Sequence, residues 1–225
     1  MKPRPHPALR KEVAMLDRFP EEEFAQLKKM LLVYEWGLNV LLTKLQIIYE
    51  DFKNFSEYNP IEHITSRIKA PESIAKKLAR LNFDVTAANA VKCLYDIAGI
   101  RIICPFARDI FRLVDILKSL PETSVIKEKD YVANPKPSGY RSYHIIMEIP
   151  VFFSGKTEKI PVEVQIRTHA MNCWATLDHM ARYKYQEGIP RHLGDELVAC
   201  ADKIAELDHR MFMIHDIVSL INRDG

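Results

Sequence analysis

From Phe24 to Phe55 the apolar residues Phe24, Leu27, Leu31, Tyr34, Leu38, Leu41, Leu45, Ile48, Phe52 and Phe55 recur in alternating steps of three and four. A stripe of that period needs one continuous helix, because only there do residues at such spacings share a face. Pro20 followed by Glu21, Glu22 and Glu23 suits its start, since proline tolerates the first turn and the anions complement the positive end of the helix dipole. Asn59-Pro60 closes it, because proline disfavours helical backbone at the residue before it. A second seam, Leu193, Leu197, Cys200, Ile204, Leu207, Met211, Ile214, Val218 and Ile221, steps by four and three towards the C-terminus. Narrow seams need a partner. It is either the rest of the same chain or another copy, and periodicity does not choose. Both seams look too long for a small sheet domain to cover, so a homo-oligomer built by helix–helix contacts is expected.

Between the seams strands and helices intermingle. Ser73–Leu81, Ala88–Tyr95, Asp109–Ser119 and Ala170–Tyr185 read as helices, the last closed by Gly188 and Pro190. Gly99–Cys104, Ser124–Lys129, Ser142–Ile149 and Ile160–Arg167 read as strands, the last two joined by a turn at Ser154-Gly155. Tyr131–Gly139, with Pro135 and Pro137, reads as a loop. This predicts a single α/β or α+β domain, and 225 residues suffice for one good core. The expected organisation is a basic, proline-rich tail over 1–19, an N-terminal helix over 20–57, a central domain over 58–187 and a helical segment over 188–225. No apolar run approaches the ~20 residues of a membrane span, and the N-terminus lacks the apolar stretch of a secretory signal. Cys93, Cys104, Cys173 and Cys200 are scattered without a CxxC pair, which reads as buried free thiols in a reducing, cytoplasmic setting. The net charge of +2 does not point to nucleic acid.

The segment Val162–Arg167 alternates strictly, with Val162, Val164 and Ile166 on one face and Glu163, Gln165 and Arg167 on the other. Three long polar side chains in a row face either solvent or a site. Arg67, Lys69, Lys76, Lys77 and Arg80 stand against one acid, Glu72; a helix from Pro71 puts Ser73, Lys77 and Arg80 on one stripe with Lys69 just before it. Clustered cations at a helix start suit phosphate, and a solvated basic face gives the same pattern. The chain has no Walker loop and no GxGxxG, so any phosphate cradle here is made by side-chain cations. Asp96, before the Gly99–Cys104 strand, and Glu163 are the carboxylates that a sheet could bring together around Mg²⁺. Tyr140, in a loop bounded by proline and glycine and close to Lys136, could stack a base or pack on the sheet edge. His169 and Cys173 are one helical turn apart, but two ligands do not make a zinc site. His215-Asp216 has no companion motif.

Several strings together resemble the RelA/SpoT synthetase domain. They are Asn59-Pro60-Ile61-Glu62, Ser66-Arg67-Ile68-Lys69, Tyr95-Asp96-Ile97-Ala98-Gly99-Ile100-Arg101-Ile102, Lys129-Asp130-Tyr131, Lys136-Pro137-Ser138-Gly139-Tyr140-Arg141-Ser142-Tyr143-His144, Val162–Thr168 and Ala170–Ala175. Order and spacing match over roughly residues 58–185. The flanking helices resemble those of the small alarmone synthetases, and the strings Leu31–Leu41 and Asn59–His63 look closer to the RelP subgroup than to RelQ. The resemblance implies an α+β fold: a nucleotidyltransferase-like mixed sheet flanked by helices, with long N- and C-terminal helices. It implies transfer of pyrophosphate from ATP to the 3′-hydroxyl of GDP or GTP, with Mg²⁺ as cofactor and a homotetramer as the assembly. Arg67 and Arg101 would clamp adenine, while Lys69, Ser73, Lys77 and Arg80 would hold the ATP phosphates. Asp96 and Glu163 would bind Mg²⁺, and Glu163 would activate the acceptor hydroxyl. Tyr140 would stack on guanine, with Lys129, Lys136, His144, Gln165 and Asn172 contacting the acceptor. RelQ-type enzymes carry basic residues late in the first helix for an allosteric alarmone. Here that stretch is Leu45-Gln46-Ile47-Ile48-Tyr49, with Lys44 the nearest cation, which implies no strong activation by product.

Two other functions share parts of this pattern. A toxin-like relative that pyrophosphorylates tRNA 3′ ends would need a second basic surface, and none is present beyond the Arg67–Arg80 segment. RNA binding is thus unsupported and nothing points to DNA. A non-catalytic nucleotide- or RNA-binding regulator would have no use for both Asp96 and Glu163.

Overall fold

A computed structural model describes residues 21–185 and 188–221; the expected tail over 1–19 lies outside them. Helix α1 (Glu21–Phe55) is followed by β1 (His63–Ile68), α2 (Pro71–Arg80), α3 (Ala87–Cys93), β2 (Ala98–Cys104), α4 (Ala107–Ser119), β3 (Ser124–Asp130), β4 (Tyr143–Phe153), β5 (Lys156–Thr168), α5 (His169–Lys184) and α6 (Arg191–Ile221). The strands form one mixed sheet in the order β1-β2-β5-β4-β3. β2 and β5 run parallel, and the other neighbours are antiparallel. The fold is the expected α+β arrangement of a mixed sheet among helices.

Strand β1 was not expected from the sequence, where only its end was noticed as part of a basic segment. It is a short edge strand with mostly exposed residues, so its alternation is weak. The hairpin β4–β5 is longer than expected, with Phe153 paired to Lys156. Ser154 and Gly155 both take positive φ, 50° and 78°, the two-residue turn whose twist matches that of the strands it joins. Helix α5 ends at Lys184, before the glycine and proline expected to close it.

Helix α1 lies across the apolar face of the sheet, against β5, β2 and β4. Leu27, Leu41 and Leu45 are fully buried there, with Tyr34 and Leu38 almost so, in one core with Ile100, Ile102, Met147, Val162 and Val164. A methyl group at Gly37 would stand 2.8 Å from Cβ of Ile160, so the bare glycine is what lets the helix backbone come down onto β5. The expectation that both seams outrun the sheet is therefore wrong for α1, whose seam is internal until Phe55. The statement that no segment is apolar enough for a membrane also needs correction, because Glu23–Phe55 meets that test by length and composition. Its apolar side is taken up by the sheet, while Lys28, Lys29, Glu35, Asp51 and Lys53 lie on the exposed side.

Helix α6 behaves differently. It packs through Leu197 of the seam together with Ala201 and Asp208, which lie outside it, and Trp174 of α5 donates to Leu197 O at 2.7 Å. The seam residues Leu207, Met211, Ile214, Val218 and Ile221 are 38–66% exposed. All four cysteines are free, but only Cys104 is buried; Cys173 and Cys200 are exposed, against expectation.

Thr168 joins β5 to α5. Its hydroxyl accepts from Met171 N and donates to Asp208 Oδ2 at 2.5 Å. Burial pushes the Asp208 carboxyl above its ordinary range, with the Thr168 hydrogen bond and His169 acting the other way. A raised carboxyl means that the folded state holds a proton that the unfolded chain releases, so this group costs stability as pH rises through and above the ordinary aspartate range. Asp208→Asn still accepts from Thr168. It is expected to raise the melting temperature at neutral pH, and the gain should vanish in acid, where both states are protonated.

Candidate active site

The strand register arranges the polar face in rows. Arg67, Gly99, Glu163, Ile146 and Lys127 stand opposite one another across all five strands, and Thr65, Arg101, Gln165, His144 and Lys129 form the next row. A bulge in β3 between Val125 and Lys127 sets Lys127 opposite Ile146 and Lys129 opposite His144. Without it both lysines would stand opposite core-facing residues of β4, since a slip of one residue exchanges the faces of a strand.

Two hollows open on this face. One, about 170 Å³, is lined by Thr65, Ser66, Arg67, Gly99, Arg101 and Gln165, with Glu163 at its edge. Gly99 lines it without a side chain, and a Cβ there would lie 3.9 Å from Arg67 Cγ, at ordinary contact distance. Arg101 Nε is buried without a partner. Burial, then Arg167 and Arg67, hold this guanidinium below its ordinary range. The slot therefore carries unsatisfied positive charge between two guanidinium groups.

The second hollow, about 300 Å³, is lined by Lys77, Tyr95, Asp96, Lys127, Lys129, Tyr131, Lys136, His144 and, again, Glu163. At its back Asp96 Oδ2 pairs with Lys69 Nζ and Lys77 Nζ, both at 2.7 Å. Burial would raise the Asp96 carboxyl, but these two hydrogen bonds and charges bring it below its ordinary range. Lys69 is placed by its own backbone, whose N–H donates to Ile97 O at 2.7 Å, and Lys77 by the last turn of α2. Lys136 Nζ lies over the rings of Tyr131 and Tyr140, 4.6 and 4.7 Å from their centroids.

Glu163 stands between the hollows, its side chain 16% exposed. Oε1 meets His144 Nδ1 at 3.1 Å and Oε2 accepts from Gln165 Nε2 at 2.9 Å. Burial would raise this carboxyl, but the His144 and Gln165 contacts leave it below its ordinary range, so it is ionised at neutral pH. Asp96 Oδ1 is buried with no hydrogen-bond partner. A free carboxylate oxygen and a second carboxylate on the same hollow suit a hard divalent ion that keeps most of its waters, such as Mg²⁺. Among the described residues no three His, Cys, Asp or Glu side chains cluster as a fuller metal site, and His169 instead pairs with Glu62.

Of the residues singled out from sequence, Arg67, Arg101 and Gln165 line the first hollow, Lys77, Asp96, Lys129, Lys136 and His144 line the second, and Glu163 lines both. Lys69 reaches the second through Asp96. Ser73 and Arg80 are exposed on α2 and line neither. Asn172, in the first turn of α5, lines neither and has a buried Oδ1 without a partner. Tyr140 lies behind the second hollow, its hydroxyl bonded to His144 Nε2 and Arg167 Nη2; the ring facing the hollow is that of Tyr131. Tyr131, Lys127 and Arg167 were not singled out as site residues. Arg167 was legible as the third member of the alternating polar face, whereas Lys127 reaches it only through the bulge.

The sequence profile of the region found in RelA / SpoT proteins matches residues 66–188. The chain is 43% identical over 187 residues to the GTP pyrophosphokinase YwaC of Bacillus subtilis, covering 83% of this chain and 89% of that one. A GTP pyrophosphokinase family protein from Streptococcus pneumoniae superposes with a TM-score of 0.77 at 37% identity, over 85% of this chain and 93% of that one. The small alarmone synthetase 1 of Bacillus subtilis bound to its product pppGpp superposes with a TM-score of 0.79 at 34% identity, over 86% and 98%.

Proposed function

The chain belongs to the RelA/SpoT family, and on that premise we propose that it is a small alarmone synthetase: a GTP pyrophosphokinase that moves pyrophosphate from ATP to the 3′-hydroxyl of GDP or GTP. The observation that carries this reading is the position of Glu163, which lines two separate hollows on one sheet face. A two-substrate transfer needs donor and acceptor to meet at one group, and holding them there is most of the catalysis.

Arg67 and Arg101 stack on the adenine of ATP above Gly99. The phosphates run towards Lys69 and Lys77, with Ser73 and Arg80 on the exposed side of α2. Guanine binds on the other side, in the hollow that Lys129, Lys136 and His144 line and the ring of Tyr131 faces. Gln165 meets the acceptor from beside Glu163, and stacking by Tyr140 or contact with Asn172 requires those side chains to turn in from behind. Glu163 takes the proton of the 3′-hydroxyl as its oxygen attacks the β-phosphorus. The bond from that phosphorus to the α–β bridging oxygen breaks, and AMP leaves with that oxygen. Asp96 and Glu163 would hold Mg²⁺, which when bound neutralises phosphate charge. Incubating the purified protein with labelled ATP and GDP, GTP or tRNA tests the reading: label appearing in ppGpp or pppGpp supports it, and label on tRNA alone would replace it with the toxin-like activity.

The same reading places the enzyme in the cytoplasm, in the RelP subgroup, as a homotetramer assembled through the exposed α6 seam. Gln46 and Ile47 form an exposed, uncharged patch late in α1. Added pppGpp is accordingly expected to leave the initial rate essentially unchanged, and marked activation would reveal a regulatory site elsewhere. For Tyr140 the ring and the hydroxyl have separable effects. If the Tyr140 ring turns in to stack on the base, Tyr140→Ala is expected to raise the acceptor KM about tenfold or more, the worth of ~1–3 kcal/mol of base stacking. Tyr140→Phe keeps the ring and opens the link between Arg167 and His144, so kcat falls while the acceptor KM changes little. Steady-state kinetics with varied GDP separates the two.

A further inference from the structure

Arg167 is only 5% exposed. Among the described residues no carboxylate forms an ion pair with it, although an unpaired buried charge costs several kcal/mol. Its donors go to neutral groups: Nε to Ser142 Oγ at 3.2 Å, and Nη2 to Tyr140 Oη at 2.5 Å and Gln165 Oε1 at 2.9 Å. A guanidinium can only donate, and this fixes the direction of every bond downstream. The Tyr140 oxygen accepts from Arg167, which leaves its proton for His144 Nε2 at 2.8 Å. A neutral ring that accepts at Nε2 carries its proton on Nδ1, which faces Glu163 Oε1 at 3.1 Å. On the other side, the Gln165 oxygen is held by Arg167, so its amide nitrogen is the end that donates to Glu163 Oε2, at 2.9 Å. The five side chains close a ring that starts at one cation and ends on both oxygens of one anion.

We propose that Arg167 is a positioning residue for the transfer, which through Tyr140 and His144 on one arm and Gln165 on the other aims a donor at each oxygen of Glu163. This rests on the reading of Glu163 as the group that receives the acceptor proton. A direct Arg–Glu pair would hold the carboxylate but take up the lone pairs that the reaction needs. The relayed pair fixes the carboxylate plane, keeps the guanidinium out of the substrate hollows, and gives the buried charge its counterion at one remove.

The test has an arm independent of activity. In Glu163→Ala the carboxylate no longer dictates the His144 tautomer, so whatever preference remains comes from Tyr140 and Arg167. Long-range ¹H–¹⁵N correlations on ¹⁵N-histidine-labelled protein, at mildly alkaline pH, report which ring nitrogen holds the proton. The expected result is Nδ1–H in Glu163→Ala, and a shift towards Nε2–H, the form a free imidazole favours, when Arg167→Met is added. The same tautomer in both would overturn the proposal. Should Arg167→Met fail to fold, Tyr140→Phe in the Glu163→Ala background cuts the same arm and carries the same expectation. In the otherwise unaltered enzyme, Arg167→Met is expected to lower kcat by about 10- to 100-fold with smaller changes in either KM, as misplacing a reacting group does. Tyr140→Phe should then cost little more in the Arg167→Met background, because an arm without its anchor positions nothing. Fully multiplicative effects would mean that Arg167 and Tyr140 act independently and would overturn the relay. Loss of all synthetase activity in the unaltered protein would refute the function and leave the tautomer result standing.

Discussion

Glu163→Gln is expected to cut turnover by about 10³-fold while the protein melts at nearly its original temperature. The carboxylate is ionised at neutral pH because His144 and Gln165 outweigh its burial. An amide of the same length cannot take the acceptor proton and brings no charge to a metal. It also cannot accept from both neighbours at once, since one of its two ends is a donor. A small local adjustment follows, which is why the melting curve belongs beside the rate. Single-turnover formation of AMP with saturating ATP and GDP is the direct measurement, because it does not depend on product release. Turnover within a few-fold of the original enzyme would remove Glu163 from the chemistry and leave the two hollows without a common reacting group.

The second large effect separates the two seams. Leu41 and Leu45 are fully buried between α1 and the sheet. Truncating either to alanine costs about 2–5 kcal/mol, and an aspartate there adds an unpaired charge in the core. Leu41→Asp together with Leu45→Asp is therefore expected to abolish cooperative folding, seen as loss of the melting transition in circular dichroism. Charged replacements at Leu207 and Ile214, which are 52% and 62% exposed, should leave the protomer folded. If α6 joins copies of the chain, light scattering will show those variants reduced to monomers of about 26 kDa, the mass of one chain. A folded Leu41/Leu45 variant would contradict the packing of α1. Unchanged mass in the Leu207/Ile214 variant would move the contacts between copies off this seam.

The contrast between the seams shows what periodicity can carry. The three–four spacing located both long helices, because a helix must bury a stripe somewhere. It could not say against what, since a sheet face and a second helix accept the same stripe. What decided the matter for α1 is Gly37, a missing side chain that allows close approach to Ile160 and leaves no mark on the apolar pattern. Alternation in Val162–Arg167 likewise gave the polar face of β5 directly. The neighbours of that face were harder. β1 is too exposed to alternate clearly, and the bulge in β3 has no glycine or proline to announce it. The place of Asp96 before a strand singled it out beside Glu163. Motif resemblance supplied Arg101, whose proposed role depends on elements far apart in sequence. It did not supply Arg167, which reaches the reacting group only through its neighbours.

Because the two hollows share Glu163 and little else, the enzyme is built in halves that can change separately. Most of the first hollow comes from Thr65–Arg67 and Gly99–Arg101, and most of the second from Lys127–His144 with Lys77, Tyr95 and Asp96; on the proposed reading these take the phosphoryl donor and the acceptor. The first belongs to an edge strand, β2 and β5, the second to β3, one loop and the start of β4, with α2 and the turn before β2 at its back. On that reading, changes within Lys127–His144 alter much of the acceptor side while the first hollow stays as it is. The loop of the acceptor half is held from outside: a methyl group at Gly139 would sit 2.6 Å from Cβ of Ala201 on α6. On the proposed reading, the shape of the acceptor side is therefore tied to the seat of that last helix.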